Sequence, residues 1–190
     1  MGLTQWAYFG LLAFVGLERL LELYVSKRNQ QRMAGRGIRK IPEPRFHWMV
    51  VVHTALLVGA GLEVWLLRRP FLLWLAIPMF VLFLLAQAMR VWVVRTMAGH
   101  WNAEVMDSTQ LGVVTGGPFR WVRHPNYMAV VAEFIAIPLI HTAWITAAAG
   151  SLADLWVLRS RIDVEDRVLL SSPVYRAAMG AKPRFIPRFF

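Results

Sequence analysis

Apolar residues run almost unbroken through residues 3–25, 48–67 and 71–94, and again through 127–158. A hydrocarbon core of ~30 Å needs ~20 apolar residues in helical form, so the first three stretches each read as one span. The last is too long for a single helix, and Pro138, His141 and Thr142 interrupt it. It reads as a hairpin with a short fourth span over 127–140 and a fifth over 143–158. The first stretch ends in Glu18, Arg19 and Glu22 rather than at a small-residue cleavage site, so it reads as a span and not a signal peptide. Trp6 stands where N-myristoylation wants Ser or Thr. Residues 35–44 form a loop punctuated by Gly and Pro, and 98–117 are too polar to span. From Arg159 a helix is expected to about Met179, interrupted near Ser171, Ser172 and Pro173, with Pro183 and Pro187 forbidding its continuation. The pattern predicts an all-α integral membrane bundle of about five transmembrane helices, one domain over 1–190, with a cytoplasmic C-terminal helical segment.

Composition sharpens this picture. Hydrophobic residues make up 57% of the 190 and charged residues 17%, against about 25% charged in soluble domains. Mean hydropathy is +0.47. This excludes disorder, a coiled coil or an ordinary water-soluble enzyme. The net charge is +10, and its placement is uneven. Of 21 Lys and Arg, seventeen fall in the first loop, the third loop and the tail, whereas the second loop holds only Arg68 and Arg69. The positive-inside rule then puts the N-terminus outside and the C-terminus in the cytoplasm, as an odd number of spans requires. Trp6, Trp65, Trp74 and Trp144 fall near outer ends, and Trp48, Trp92 and Trp156 near inner ones. With no cysteine, disulfides, zinc fingers, iron–sulfur clusters and thiol nucleophiles are excluded. No metal site and no nucleic-acid partner is expected.

Ionisable groups in lipid are costly and mark sites or pathways. The spans carry Glu18, Arg19, Glu22, His53, Glu63, Gln87, Arg90, Glu133 and Asp154. At ~1.5 Å per residue, all but Glu63 lie within ~5–11 Å of the inner end. Taken singly, these are buried ion pairs; as a set at one depth they suggest a polar cavity open to the inner side. Glu63, near the outer end, is expected to snorkel to water. The candidate catalytic residues of this set are Arg90, Glu133 and His53.

The densest unusual text is Gly116-Gly117-Pro118-Phe119-Arg120-Trp121-Val122-Arg123-His124-Pro125-Asn126-Tyr127, just before the fourth span. Pro125 suits the first turn of a helix, and a helix start beside Arg123 and His124 favours an anionic ligand group. The plainer alternative is a set of basic residues touching lipid headgroups. Farther on, Arg161 and Glu165 share a helix face at i, i+4. Taken alone, that spacing describes a surface ion pair.

Together these runs resemble the isoprenylcysteine carboxyl methyltransferase family. The ordered matches are Gly99-His100-Trp101 (one residue short of Gly-x-x-Trp), Val113-Val114 with Gly117, Arg123-His124-Pro125-Asn126-Tyr127, Arg161 with Glu165 and Asp166, and Arg184 with Pro187. They cover roughly the C-terminal half. Phe119, Ala129, Leu111 and Asp166 depart from the usual Tyr, Gly, His and second Glu, which bears on the acceptor more than on the cofactor. Glu18, Arg19 and Glu22 followed by Ser26-Lys27-Arg28-Asn29 resemble a bacterial branch that accompanies type III polyketide synthases and O-methylates alkylpyrones or alkylresorcinols. The resemblance implies S-adenosylmethionine as methyl donor, held by Val113, Val114, Arg123, His124, Pro125, Tyr127, Arg161 and Glu165. It implies a lipophilic acceptor entering from the bilayer of a bacterial inner membrane. A carboxylate or acidic enol would need no base; a phenol or amine would, with His53, Glu133 or His124 available. Arg90 would hold an anionic headgroup, or else simply pair with Glu18 or Glu22.

Other readings are a phospholipid N-methyltransferase, an NADPH-dependent relative of the sterol reductases, and a small transporter or lipid-binding scaffold. The sterol reductases end in a different tail. A transporter would need polar groups through both leaflets, and the outer half offers little beyond Glu63.

Overall fold

The computed structural model describes residues 2–43 and 45–186. Pro187 of the tail motif and Arg188 lie outside the described residues. Six α-helices follow in order: α1 (Leu3–Ala34), α2 (Phe46–Leu66), α3 (Leu73–Met97), α4 (Pro125–Leu139), α5 (Trp144–Ser171) and α6 (Pro173–Met179). No strand is named among the described residues; one isolated bridge joins Lys40 to Met106. The fold is all-α. α3 packs along α4, and α5 along both α2 and α4.

Two helices differ in length from what hydropathy predicts. α1 continues past Val25 to Ala34, and α5 runs unbroken through Leu158 to Ser171. Neither extension contains Gly or Pro, so the change from apolar to charged ends the greasy stretch without ending the helix. The extensions matter for position. On α1, Ser26 Oγ accepts from the Ala103 amide at 2.9 Å, and Asn29 Nδ2 donates to the Trp101 carbonyl at 2.8 Å. The long connection between α3 and α4 is thereby tied to α1. The break between α5 and α6 falls at Ser172, as expected, and Ser172 Oγ accepts from the Tyr175 amide.

α2 and α3 are long and apolar enough to cross a bilayer, and α4 is apolar but shorter, at 15 residues. α1 and α5 are longer, with charges such as Glu18, Arg19 and Asp154 within them. Large apolar side chains cover the outside of these helices, including Trp74 at 69% exposure and all the other interfacial tryptophans named above. Such a surface is untenable in water and natural against lipid. The apolar core sits where Tyr8, Leu12 and Val15 of α1 meet Ala60 and Val64 of α2, Phe83 of α3, and Ala136 and Ile137 of α4.

Glu63 corrects a sequence expectation. It does not snorkel: it is 7% exposed. Its carboxylate accepts from the Ile145 and Thr146 amides at 3.1 and 2.7 Å and from Thr146 Oγ1 at 2.8 Å, and it pairs with Arg69 at 2.7 Å. A side chain from α2 thus caps the first turn of α5, satisfying amides that the helix itself cannot. Glu63→Ala should therefore cost about 2 kcal/mol and Glu63→Gln about half of that. Denaturant unfolding in detergent checks this, and a loss within experimental error for Glu63→Ala would restore the snorkelling picture.

Candidate functional site

The connection from α3 to α4 turns on Gly117, whose φ is +54° and whose missing Cβ would sit 2.4 Å from Thr96 Oγ1. Only glycine fits there. Pro125 is the first residue of α4, behind His124 at the N-cap, as its missing N–H suits. The tail folds back over this turn: the Arg123 amide donates to the Pro183 carbonyl at 2.9 Å, and the His124 amide to the Arg184 carbonyl at 3.0 Å. Lys182 Nζ reaches the Phe119 carbonyl at 2.8 Å.

Two carboxylates of α5 organise the charges. Asp166, buried, accepts from His124 Nε2 at 2.9 Å and Arg184 Nε at 2.7 Å, and lies 3.3 Å from Arg123. Burial would raise its pKa, but His124, Arg123 and Arg184 outweigh that and hold it below the usual aspartate value. At the neighbouring carboxylate, Tyr127 Oη accepts from Arg161 Nε at 2.8 Å and donates to Glu165. So Arg161 and Glu165 share a face, as their spacing predicts, but Tyr127 bridges them. Arg161 also pairs with Glu43 at 3.4 Å. Burial alone would weaken the Arg161 cation; Tyr127, Glu43 and Glu165 more than compensate, so its pKa lies above the ordinary value. Burial pushes the Glu43 carboxyl up, with Arg161 opposing.

Around these groups lies a cleft of about 930 Å³, out to its open mouth. All eight residues expected to hold the cofactor line it: Val113, Val114, Arg123, His124, Pro125, Tyr127, Arg161 and Glu165. Three of its buried polar atoms, Arg123 Nε, Asn126 Oδ1 and Asn102 Oδ1, have no hydrogen-bond partner among the described residues.

A second cavity of about 1560 Å³, out to its mouth, lies among α1, α2, α4 and α5. Its lining is mainly aliphatic. Leu20, Val50 and Val58 both line it and are exposed, so it opens sideways between α1 and α2. Asn102, Asn126, Tyr127 and Arg161 border both cavities and form the wall where they meet.

The polar groups of the spans do converge. Arg90, 5% exposed, holds Glu133 through two bonds of 3.0 and 2.5 Å and lies 3.4 Å from Glu22. Arg19 joins Glu22 at 2.8 Å, Glu18 at 3.0 Å and Glu133 at 3.6 Å, and Gln87 donates to Glu18. Arg90 and His53 line the second cavity; Glu133 stands behind Arg90 and does not. The guanidinium of Arg90 is thus engaged by Glu133 and Glu22. None of the three candidate catalytic residues lines the first cleft.

Sequence reasoning missed Glu43, Asn102 and Asn126. Glu43 sits in the Gly/Pro loop and meets Arg161 only because that loop pairs with the α3–α4 connection: the Ile41 amide donates to the Val105 carbonyl at 3.0 Å, and the Val105 amide to Glu43. An acid between prolines was the available signal. Asn126 lay inside the singled-out motif.

Comparison with known proteins adds two findings. The model of the isoprenylcysteine carboxyl methyltransferase (ICMT) family matches residues 77–171, half of the chain. That match takes in most of α3, all of α4 and all of α5, and stops before α6. The uncharacterized protein YpbQ of Bacillus subtilis (strain 168) is 28% identical over 160 residues, spanning 84% of this chain and 94% of that protein.

Asp166 holds the tail against the motif turn, so Asp166→Asn should free it. Trypsin is expected to cut after Arg184 several-fold faster in the variant. Because the folded pKa of Asp166 is depressed, its contribution is complete above the ordinary aspartate value of about 4 and is lost as pH falls through the folded value. Equal cleavage of the two proteins at neutral pH would contradict the assignment.

Proposed function

Because the chain belongs to the isoprenylcysteine carboxyl methyltransferase family, a family of membrane methyltransferases, we propose that it is an S-adenosylmethionine-dependent O-methyltransferase acting on a lipophilic acceptor. The observation that carries this reading is the pair of cavities, one richer in polar groups and one mainly aliphatic, separated by a single wall of Asn102, Asn126, Tyr127 and Arg161. The polar cleft receives the cofactor and the aliphatic cavity the acceptor.

The residues present fit the cofactor. It carries an ammonium, a carboxylate and a sulfonium, and the cleft offers both signs of charge in Glu165, Glu104, Arg123 and Arg161. The orphaned atoms of Arg123, Asn126 and Asn102 are buried demands that a polar ligand meets. Val113 and Val114 supply an apolar edge and backbone groups for the adenine, and His124, Pro125 and Tyr127 close the inner wall. When bound, the cofactor supplies an electrophilic methyl group on sulfur.

The chain's own part is positioning. Arg161, kept cationic by its carboxylate neighbours, sits at the shared wall and orients the acceptor oxygen, with Asn126 beside it. Methyl transfer to an anionic oxygen neutralises charge, so exclusion of water and alignment matter most. The aliphatic lining of the second cavity provides that exclusion. A carboxylate or acidic enol acceptor, such as isoprenylcysteine or an alkylpyrone, needs no base. Arg90 and Glu133 act as positioning residues that fix the helices around the cavity.

We read all five helices α1–α5 as crossing the bilayer within one domain, with the N-terminus outside and α6 and the tail in the cytoplasm of a bacterial cell. In that setting the lateral opening between α1 and α2 faces lipid. Calorimetry on the detergent-purified protein tests the reading. It should bind S-adenosylhomocysteine, and Glu165→Gln or His124→Ala should each weaken binding at least about tenfold, or ~1.4 kcal/mol. Binding of NADPH with none of S-adenosylhomocysteine would reject it.

A further inference from the structure

The acceptor cavity has polar groups in two places rather than one. The first is the wall shared with the polar cleft. The second lies deeper, where Asp154 of α5, His53 of α2 and the Arg19, Glu22 and Arg90 cluster border the same space. Within that second group Arg19 and Arg90 both pair with Glu22, and Arg90 also with Glu133. Asp154 does not join them: it is 3% exposed, and its Oδ2 has no hydrogen-bond partner among the described residues. His53 uses Nδ1 on the Met49 carbonyl at 2.8 Å and lies edge-on to Phe134 at 4.8 Å. With Nδ1 as the donor, a neutral ring presents Nε2 as an acceptor.

A buried carboxyl group without a partner costs free energy unless something in the cavity completes it. Both Asp154 and His53 can accept a hydrogen bond, and a hydroxyl serves either one, because it donates and accepts. Asp154 and Arg161 are seven residues apart on one helix and line one cavity, with Val157 and Leu158 between them. Seven residues of α-helix span about 10 Å.

We propose that Asp154 and His53 form a second polar subsite that selects acceptors carrying a hydroxyl about 10 Å from the oxygen to be methylated. The acceptor class is then a two-headed amphiphile. Its reacting acid group stands at Arg161, its hydroxyl at Asp154, and the rest of its chain leaves between α1 and α2. A simple apolar tail ending in one acid group would leave Asp154 uncompensated.

The proposal rests on the methyltransferase reading for the identity of the reacting end, but it can be tested without methyl transfer. The probes are 10-hydroxyoctadecanoic acid and octadecanoic acid, which differ only in one mid-chain hydroxyl. Their binding to the purified protein is measured by calorimetry with no cofactor present. The hydroxy acid should bind about tenfold more tightly, as one satisfied buried hydrogen bond warrants. Asp154→Leu should bring the two acids within about twofold, and Asp154→Asn, which keeps a hydrogen-bonding group, should retain part of the preference. Affinity for S-adenosylhomocysteine should be the same in wild type and both variants. Equal affinity of the wild type for both acids, binding of neither, or an undiminished preference in Asp154→Leu would overturn the subsite. Loss of S-adenosylhomocysteine binding in the wild type would instead count against the methyltransferase reading.

Discussion

Charge taken out of water has to be paired, and in this chain the pairing decides the shape. Arg90 of α3 grips Glu133 of α4 and reaches Glu22 of α1, while Arg19 of α1 spans to the same Glu133. Three helices are locked together at one depth by groups that cannot separate without leaving a bare charge. α2 has no carboxylate or guanidinium in that cluster. It is held elsewhere, by its packing on α5 and by Glu63 at the start of that helix. The aliphatic cavity lies between these two differently anchored sets, with its mouth between α1 and α2.

The same rule operates at the polar end. Asp166 gathers His124, Arg123 and Arg184, which fixes the motif turn and lays the tail across it. Arg161 and Glu165 meet through Tyr127 rather than directly. Two carboxylates one residue apart on α5 therefore do different work. Asp166 faces the turn and the tail, and Glu165 faces the cleft. α5 connects the ends of the site, since it carries Asp154, Arg161 and Glu165 along one continuous helix.

The chain's patterns reveal what is local. The Arg-His-Pro-x-Tyr run and the Arg161–Glu165 spacing each set side chains relative to one stretch of backbone; that both line one cleft follows from the packing of α4 on α5, which neither spacing shows. The shared depth of the polar groups was legible for the same reason, since rise per residue is fixed. Hydropathy says nothing about the direction a residue faces around its helix. Glu63 was misjudged on that account: it faces the start of α5 rather than water. The extension of α1 past Val25, and the unbroken join of the fifth span to the helix expected from Arg159, were not foreseen because apolarity reports on solvent and not on backbone. The roles of Glu43 and Asn102 depend on segments far apart in the chain meeting at Val105 and Trp101, so the acid between prolines marked Glu43 without giving its partner. Asn126 was within reach, inside a motif already singled out.

The central claim is that donor and acceptor approach each other through one wall, from two separate cavities. A structure of the protein in lipid nanodiscs with bound S-adenosylhomocysteine tests it most directly. The account predicts the adenine beside Val113 and Val114, with the sulfur facing Asn126, Tyr127 and Arg161 from the cleft side. S-adenosylhomocysteine lodged in the aliphatic cavity, or with its sulfur turned away from that wall, would contradict it.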